Sequence, residues 1–180
     1  MNKLIVIYLL ISLIKVVDTP LQAQADLTLE AIFQRQEFST KTVGPFRWMK
    51  DNEGYSTLEP NAQHGGKDII RYDARTGQRT VVVPADRLRP APGARPLEIA
   101  GYEWSADDRK LLLFTNTRRV WRYHTRGDYW VLDVATGKLQ QLGKTLDEAT
   151  LMFAKFSPDG NRVAYVSRNN IYVEDLATET

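Results

Sequence analysis

The sequence predicts an all-β fold, a partial β-propeller of about three blades preceded by a short helix, and three observations carry that prediction. Three segments resemble one another: PFRWMKDNEGYSTLE from Pro45, GYEWSADDRKLLLFTN from Gly101 and MFAKFSPDGNRVAYVS from Met152. Each is followed by a strand that closes in Asp-x-x-Thr-Gly or a near variant, at Asp73–Gly77, Asp133–Gly137 and Asp175–Glu179. Beyond Phe38, alternation of apolar and polar residues replaces helical periodicity. Repeated hairpin units of roughly 40–50 residues mark a propeller.

Each unit has a physical logic. An aromatic opens it (Trp48, Trp104, Phe156), a turn containing Asp follows, and an apolar strand comes next. In Ser157-Pro-Asp-Gly160, proline presets its own φ and glycine tolerates a positive one, which makes a tight turn. Arg162–Val166 then reads as a buried or half-buried strand, and Asp-x-x-Thr-Gly supplies the next hairpin. The repeat is irregular. The opening aromatics lie 56 and 52 residues apart, the closing aspartates 60 and 42, and a loop with four prolines runs from Pro84 to Pro96. An irregular β-sandwich is therefore the second choice. A propeller needs at least about four blades to close. Two complete units and most of a third leave strand edges and apolar faces open, so the chain reads as part of a larger fold.

The N-terminus points to export. Lys3 precedes eleven mostly apolar residues, Leu4 to Ile14, and Ala23-Gln24-Ala25 follows. A basic start, an apolar core and an Ala-x-Ala site make residues 1–25 a secretory signal peptide, with the mature chain beginning near Asp26. A membrane span needs roughly 20 apolar residues, and Lys15 and Asp18 interrupt this run. The expected location is periplasmic or extracellular, the alternative being an uncleaved signal segment that anchors the chain to a membrane. After the leader, LTLEAIFQRQEF (27–38) places Leu29, Ile32, Phe33 and Gln36 on one helical face, with Thr28 as N-cap.

Composition narrows the function classes. Hydrophobic residues at 43% and charged residues at 26% suit a folded globular chain. The absence of Cys removes disulfides, Cys-based zinc sites and a thiol nucleophile. Arg118, Arg119, Arg122 and Arg126, with Tyr123 and Trp130, form a basic aromatic stretch that could meet nucleic acid. A formal charge of only +2 and the export signal argue against that partner. The plainer reading is that these side chains solvate a loop between strands.

No cofactor or metal set is expected. His64 and His124 each lack a second ligand at metal spacing, and Asp107, Asp108 and Asp159 lack the rest of a calcium loop, so they read as turn formers. Glu148, Glu174 and Asp175 have no partner for acid–base work. None of the six serines lies in Gly-x-Ser-x-Gly, the nucleophile elbow of an α/β-hydrolase.

Taken in order, the leader, the LTLEAIF helix, GYEWSADDRKLLLFTN, VWRYHTRGDYWVLD and MFAKFSPDGNRVAYVSRNNIYV resemble the start of the dipeptidyl peptidase IV family. The resemblance covers Leu27 to Thr180 and is most specific at Leu-Leu-Leu-Phe followed by Trp121-Arg122. It implies a serine exopeptidase in which an eight-bladed N-terminal propeller covers a C-terminal α/β-hydrolase domain and gates access to it. It also implies release of Xaa-Pro or Xaa-Ala dipeptides, a peptide substrate and possible homodimers. Residues 26–180 would then be the N-terminal portion of that propeller, with the C-terminal blades and the hydrolase domain as its missing partners. In the family, the Arg of the Trp-Arg pair projects toward the catalytic pocket and helps hold substrate, and that position is Arg122.

Two departures stand beside the match. The family often has His where this chain has Tyr123, and its amine-clamping Asp-Trp-x-Tyr-Glu-Glu segment is not among these 180 residues. With no triad to assemble, the chain as given is expected to be inactive alone. The alternative function is a stand-alone, non-catalytic partial propeller that binds or scaffolds.

Overall fold

The computed structural model describes residues 27–40 and 44–178, so the signal peptide expected at 1–25 lies outside the described residues. The chain divides into two compact units, Met1–Thr42 and Val43–Thr180. In the first, Glu30–Gln34 form a single π-helical turn. Thr28 supplies the capping oxygen: its Oγ1 accepts the Ala31 N–H at 3.1 Å and its carbonyl accepts the Ile32 N–H at 3.0 Å. The helix is shorter than its amphipathic pattern predicts because Gln36, two residues past the turn, adopts φ +51 and breaks the spiral. Leu29, Ile32 and Phe33 remain exposed.

The second unit consists of three antiparallel sheets in chain order. The first contains β1 (Phe46–Trp48), β2 (Gly54–Pro60), β3 (Lys67–Asp73) and β4 (Arg79–Val83). The second contains β5 (Ile99–Trp104), β6 (Lys110–Val120), β7 (Tyr123–Asp133) and β8 (Leu139–Gln141). The third contains β9 (Met152–Phe156), β10 (Arg162–Ser167) and β11 (Asn170–Asp175). Each sheet is a meander in which sequential strands pair. Four strands, four strands and three match the two complete units and the partial third.

One turn is built three times. The N–H groups of Met49, Ser105 and Ser157 donate to the carbonyls of Gly54, Lys110 and Arg162 at 3.0, 2.9 and 2.8 Å. Inside these turns, Asp51, Asp107 and Asp159 accept the N–H groups of Glu53, Arg109 and Asn161. The left-handed position is filled by Asn52, Asp108 and Gly160, at φ +56, +57 and +68. Asn, Asp and Gly are the residues that occupy that region at least cost. The far ends repeat as well, at Gly54 opposite Asp73, Lys110 opposite Asp133 and Arg162 opposite Asp175. The irregular spacing of the sequence repeat therefore includes the central hairpin, which is longest in the second sheet and shortest in the third.

The middle sheet is buried on both faces. Leu111 and Leu113 join Ile69, Val83 and Tyr102 in the cluster shared with the first sheet. Leu112, between them, joins Tyr129, Val163 and Tyr165 in the cluster shared with the third. Side chains alternate across a strand, so a strand clamped between two sheets must be apolar at every position. That is the reason for Leu111-Leu-Leu-Phe114. Each fully buried leucine contributes about 1.5–3 kcal/mol relative to exposure. The outer sheets keep apolar side chains exposed, Phe46 and Trp48 on the first, Ile171 and Val173 on the third.

Candidate functional site

The long β6–β7 hairpin is rooted in the second sheet and extends past it as an arm. Pairing runs without interruption from Lys110–Asp133 to Thr115–Asp128, then the register shifts on both sides of Arg118. Beyond the shifts, Arg118 lies opposite Arg126, Arg119 opposite His124 and Val120 opposite Tyr123. The two residues left at the tip are Trp121 and Arg122.

The root is tied down by a buried carboxylate. Asp128 accepts the Asn116 side-chain amide at 2.7 Å on one oxygen and the Ala149 N–H at 2.6 Å on the other. Next to it, Gly127 and Leu151 exchange backbone hydrogen bonds of 3.0 and 3.1 Å, which bridge the second sheet to the segment that starts the third. A cleft of about 570 Å³ opens at this root, lined among others by Lys67, Glu98, Thr115, Asn116, Asp128 and Trp130. The first sheet carries the same device: Asp68 accepts the Asn61 amide at 2.9 and 3.0 Å and the Ala85 N–H at 2.7 Å. This pair was missed in the sequence because neither the Asn–Asp separation nor the distance to the donating N–H is constant.

The tip is exposed and cationic. Trp121 is 92% exposed and Tyr123 is 72% exposed. Arg118, Arg122 and Arg126 make no side-chain hydrogen bond or ion pair among the described residues. Arg119 does: its Nε donates to the Trp121 carbonyl at 2.9 Å. Thr117 Oγ1 and His124 Nδ1 lie 2.9 Å apart across the arm. An unpaired guanidinium at the end of a rooted arm offers a planar fork of donors suited to a carboxylate or a peptide carbonyl.

The other candidates are structural. The backbone of His64 is held in a turn by Asn61 Oδ1 at 2.9 Å, and its side chain is on the surface. Asp107 and Asp159 hold the repeated turn, and Asp175 closes its own turn by accepting the N–H groups of Ala177 and Thr178 at 2.9 and 3.2 Å. Glu174 ties sheets together, accepting the Tyr165 hydroxyl and, at 2.8 Å, the Gly143 N–H. Burial and that acceptor push the Tyr165 hydroxyl pKa far up. Ser56 is fully buried between sheets, and Ser105 and Ser157 brace turns through Asp107 and Asp159. No group of three or more His, Asp or Glu among the described residues could hold a metal ion.

Successive antiparallel meanders stacked face to face, with the turn between the first two strands of each repeated at equivalent positions, define the chain as β-propeller blades. The model of the dipeptidyl peptidase IV N-terminal region matches residues 105–180, which include the whole arm. A probable dipeptidyl-aminopeptidase B of Aspergillus oryzae is 29% identical over 133 residues, covering 72% of this chain and 14% of the relative. The probable dipeptidyl-aminopeptidase B of Aspergillus niger is 34% identical over 150 residues, covering 74% and 16%. Among solved structures, dipeptidyl peptidase 4 of Porphyromonas gingivalis superposes with a TM-score of 0.68 at 28% identity, over 86% of this chain and 21% of that one. All three findings support one assignment, the N-terminal propeller region of the dipeptidyl peptidase IV family. The relatives are larger dipeptidyl peptidases, of which this chain spans about a seventh.

Proposed function

We propose that this chain is the N-terminal propeller portion of an exported serine dipeptidyl peptidase whose full-length form releases N-terminal Xaa-Pro or Xaa-Ala dipeptides. The propeller gates access to a hydrolase domain, and Arg122 binds substrate. The observation that carries the role of Arg122 is its place: it ends the longest hairpin, is exposed, and has no partner among the described residues. Arg118 and Arg126 are unpaired as well, but Arg122 alone of the three stands in the tip turn. Its guanidinium donates to a substrate carbonyl, or to a carboxylate that itself grips the substrate amine. The nucleophile and its base come from residues beyond these 180, since none of the six serines stands in an elbow.

The test is kinetic. In the intact enzyme, Arg122→Ala should lower kcat/KM for a chromogenic Xaa-Pro substrate by about tenfold or more, the worth of one charge-assisted hydrogen bond. The urea midpoint should not move, because nothing in the fold leans on this side chain. An unchanged kcat/KM would overturn the reading.

A further inference from the structure

We infer that Arg119 is a positioning residue: it braces the tip turn of the β6–β7 arm and so fixes the direction in which Arg122 is presented. The inference rests on the role of Arg122 given above for its kinetic consequence, though not for its structural one.

The tip is a two-residue hairpin turn whose first position has φ +59. Two-residue hairpins need a positive φ there to match the twist of the strands, and Gly, Asn or Asp normally supply it. Here the residue is Trp121, whose Cβ opposes that conformation. The third sheet shows the easier solution. Its hairpin between Ser167 and Asn170 turns at Arg168 and Asn169, both with positive φ, and Asn sits at one of the two positions. A bulky residue held in the left-handed region persists only where its surroundings over-determine it. Trp121 has little around it, since the residue is 92% exposed.

What holds it is the Arg119 Nε–H, which donates to the Trp121 carbonyl at 2.9 Å. That bond clamps the peptide unit joining Trp121 to Arg122, and the orientation of this unit decides where the Arg122 side chain starts. One turn of sequence thus uses two arginines differently. Arg119 commits its Nε–H to the backbone, and Arg122 makes no side-chain hydrogen bond among the described residues. Arg118, opposite Arg126, has the same charge and lies on the same strand but makes no bond to the tip. It provides the control for charge alone.

The experiment uses the intact enzyme labelled with 5-fluorotryptophan, with Trp121→Phe to assign the tip resonance in the 19F spectrum. Arg119→Met should shift and narrow the Trp121 resonance while Trp104 and Trp130 stay in place. It should lower kcat/KM about fivefold, mostly through KM, because a wandering Arg122 weakens ground and transition states alike. Arg119→Lys, which keeps a cationic donor, should restore most of the loss, and Arg118→Met should change neither signal. The double variant Arg119→Met/Arg122→Ala should be no slower than Arg122→Ala alone. An unmoved Trp121 resonance in Arg119→Met overturns the inference, as does an additive double variant or an equal loss in Arg118→Met. If Trp121 responds while Arg122→Ala leaves kcat/KM intact, the brace stands and the substrate role of Arg122 falls.

Discussion

Trp104 donates its indole N–H to the Ser56 hydroxyl at 2.8 Å, across the seam between the first and second sheets. The same hydroxyl lies 2.9 Å from the Tyr102 hydroxyl and 3.4 Å from the Arg47 carbonyl. A serine offers one donor and two acceptor sites, and this one is fully buried with all three occupied. Ser56→Ala strands an indole N–H and a phenol at the seam, so we expect about 2 kcal/mol of lost stability. Urea unfolding measures it directly. A midpoint within error of wild type would mean that water or a rotated Tyr102 substitutes for the hydroxyl.

Asp128→Ala should cost more. Asp128 satisfies a side-chain amide and a backbone N–H from two different segments, and it is buried. Removing a charged acceptor from both leaves two donors unpaired, an expected loss of about 3 kcal/mol. Asp68→Ala, at the equivalent place in the first sheet, should lose a similar amount. Unequal losses beyond about 1 kcal/mol would show that the two plugs are alike in geometry and different in energy. Amide exchange at Ala149 and Ala85 is the local readout, and each should accelerate only in its own variant.

Much of this architecture can be read from the residues, and the parts that cannot have physical reasons. Trp48, Trp104 and Phe156 stand one residue before Met49, Ser105 and Ser157, whose turns have a fixed length because a six-residue backbone closure admits few conformations. The closing Asp-x-x-Thr-Gly turns are legible for the same reason. Asp73 and Asp133 each accept both the N–H and the hydroxyl of the Thr three residues on, and Gly77 and Gly137 take φ +70 and +75. Two-sided burial is legible in Leu111-Leu-Leu-Phe114. The hub at Ser56 is not, because its two side-chain partners lie 46 and 48 residues away and a buried serine leaves no pattern in a period-two strand. The helix at 27–38 is overread because an apolar stripe reports which face could be buried, while its length was decided by one backbone angle at Gln36. As for the proposed site, Arg122 stands out in the sequence only through the family resemblance of its Trp-Arg pair, whereas Arg119 is one arginine among four. Its distinction is a bond to a main-chain carbonyl, and sequence spacing does not encode that.

The closing aspartates make the fold acid-sensitive in a defined direction. Asp73 and Asp133 are held below the usual carboxylate range chiefly by the Thr76 and Thr136 backbone N–H groups, and Asp175 by that of Ala177. A carboxyl with a depressed folded pKa stabilises the fold above its unfolded value and loses that contribution as pH falls through the folded one. The urea midpoint should therefore be flat on their account from pH 7 to about 5 and decline below about 4. Asp133→Asn should lower the plateau and flatten the decline. A stability that rises on acidification below pH 4 would contradict the assignment.

Two glycines separate steric from conformational cost. A Cβ added at Gly127 would stand 2.5 Å from Phe114 Cε2 and 2.5 Å from the Thr115 carbonyl oxygen. The carbonyl belongs to the neighbouring strand and cannot yield without breaking the ladder at the arm's root. Phe114 is stacked on Tyr129 at 4.7 Å, so it cannot swing away freely either. Gly127 also carries both backbone bonds of the bridge to Leu151. Gly127→Ala should thus cost about 2–3 kcal/mol through overpacking. At Gly137 nothing lies within 4 Å of the added Cβ, and the only penalty is φ +75. Gly137→Ala should cost about 1 kcal/mol, the left-handed strain of one residue. Only Gly127→Ala should also speed amide exchange at Leu151. Equal costs, with Leu151 protected in both variants, would mean that the root of the arm is soft enough to absorb a methyl group.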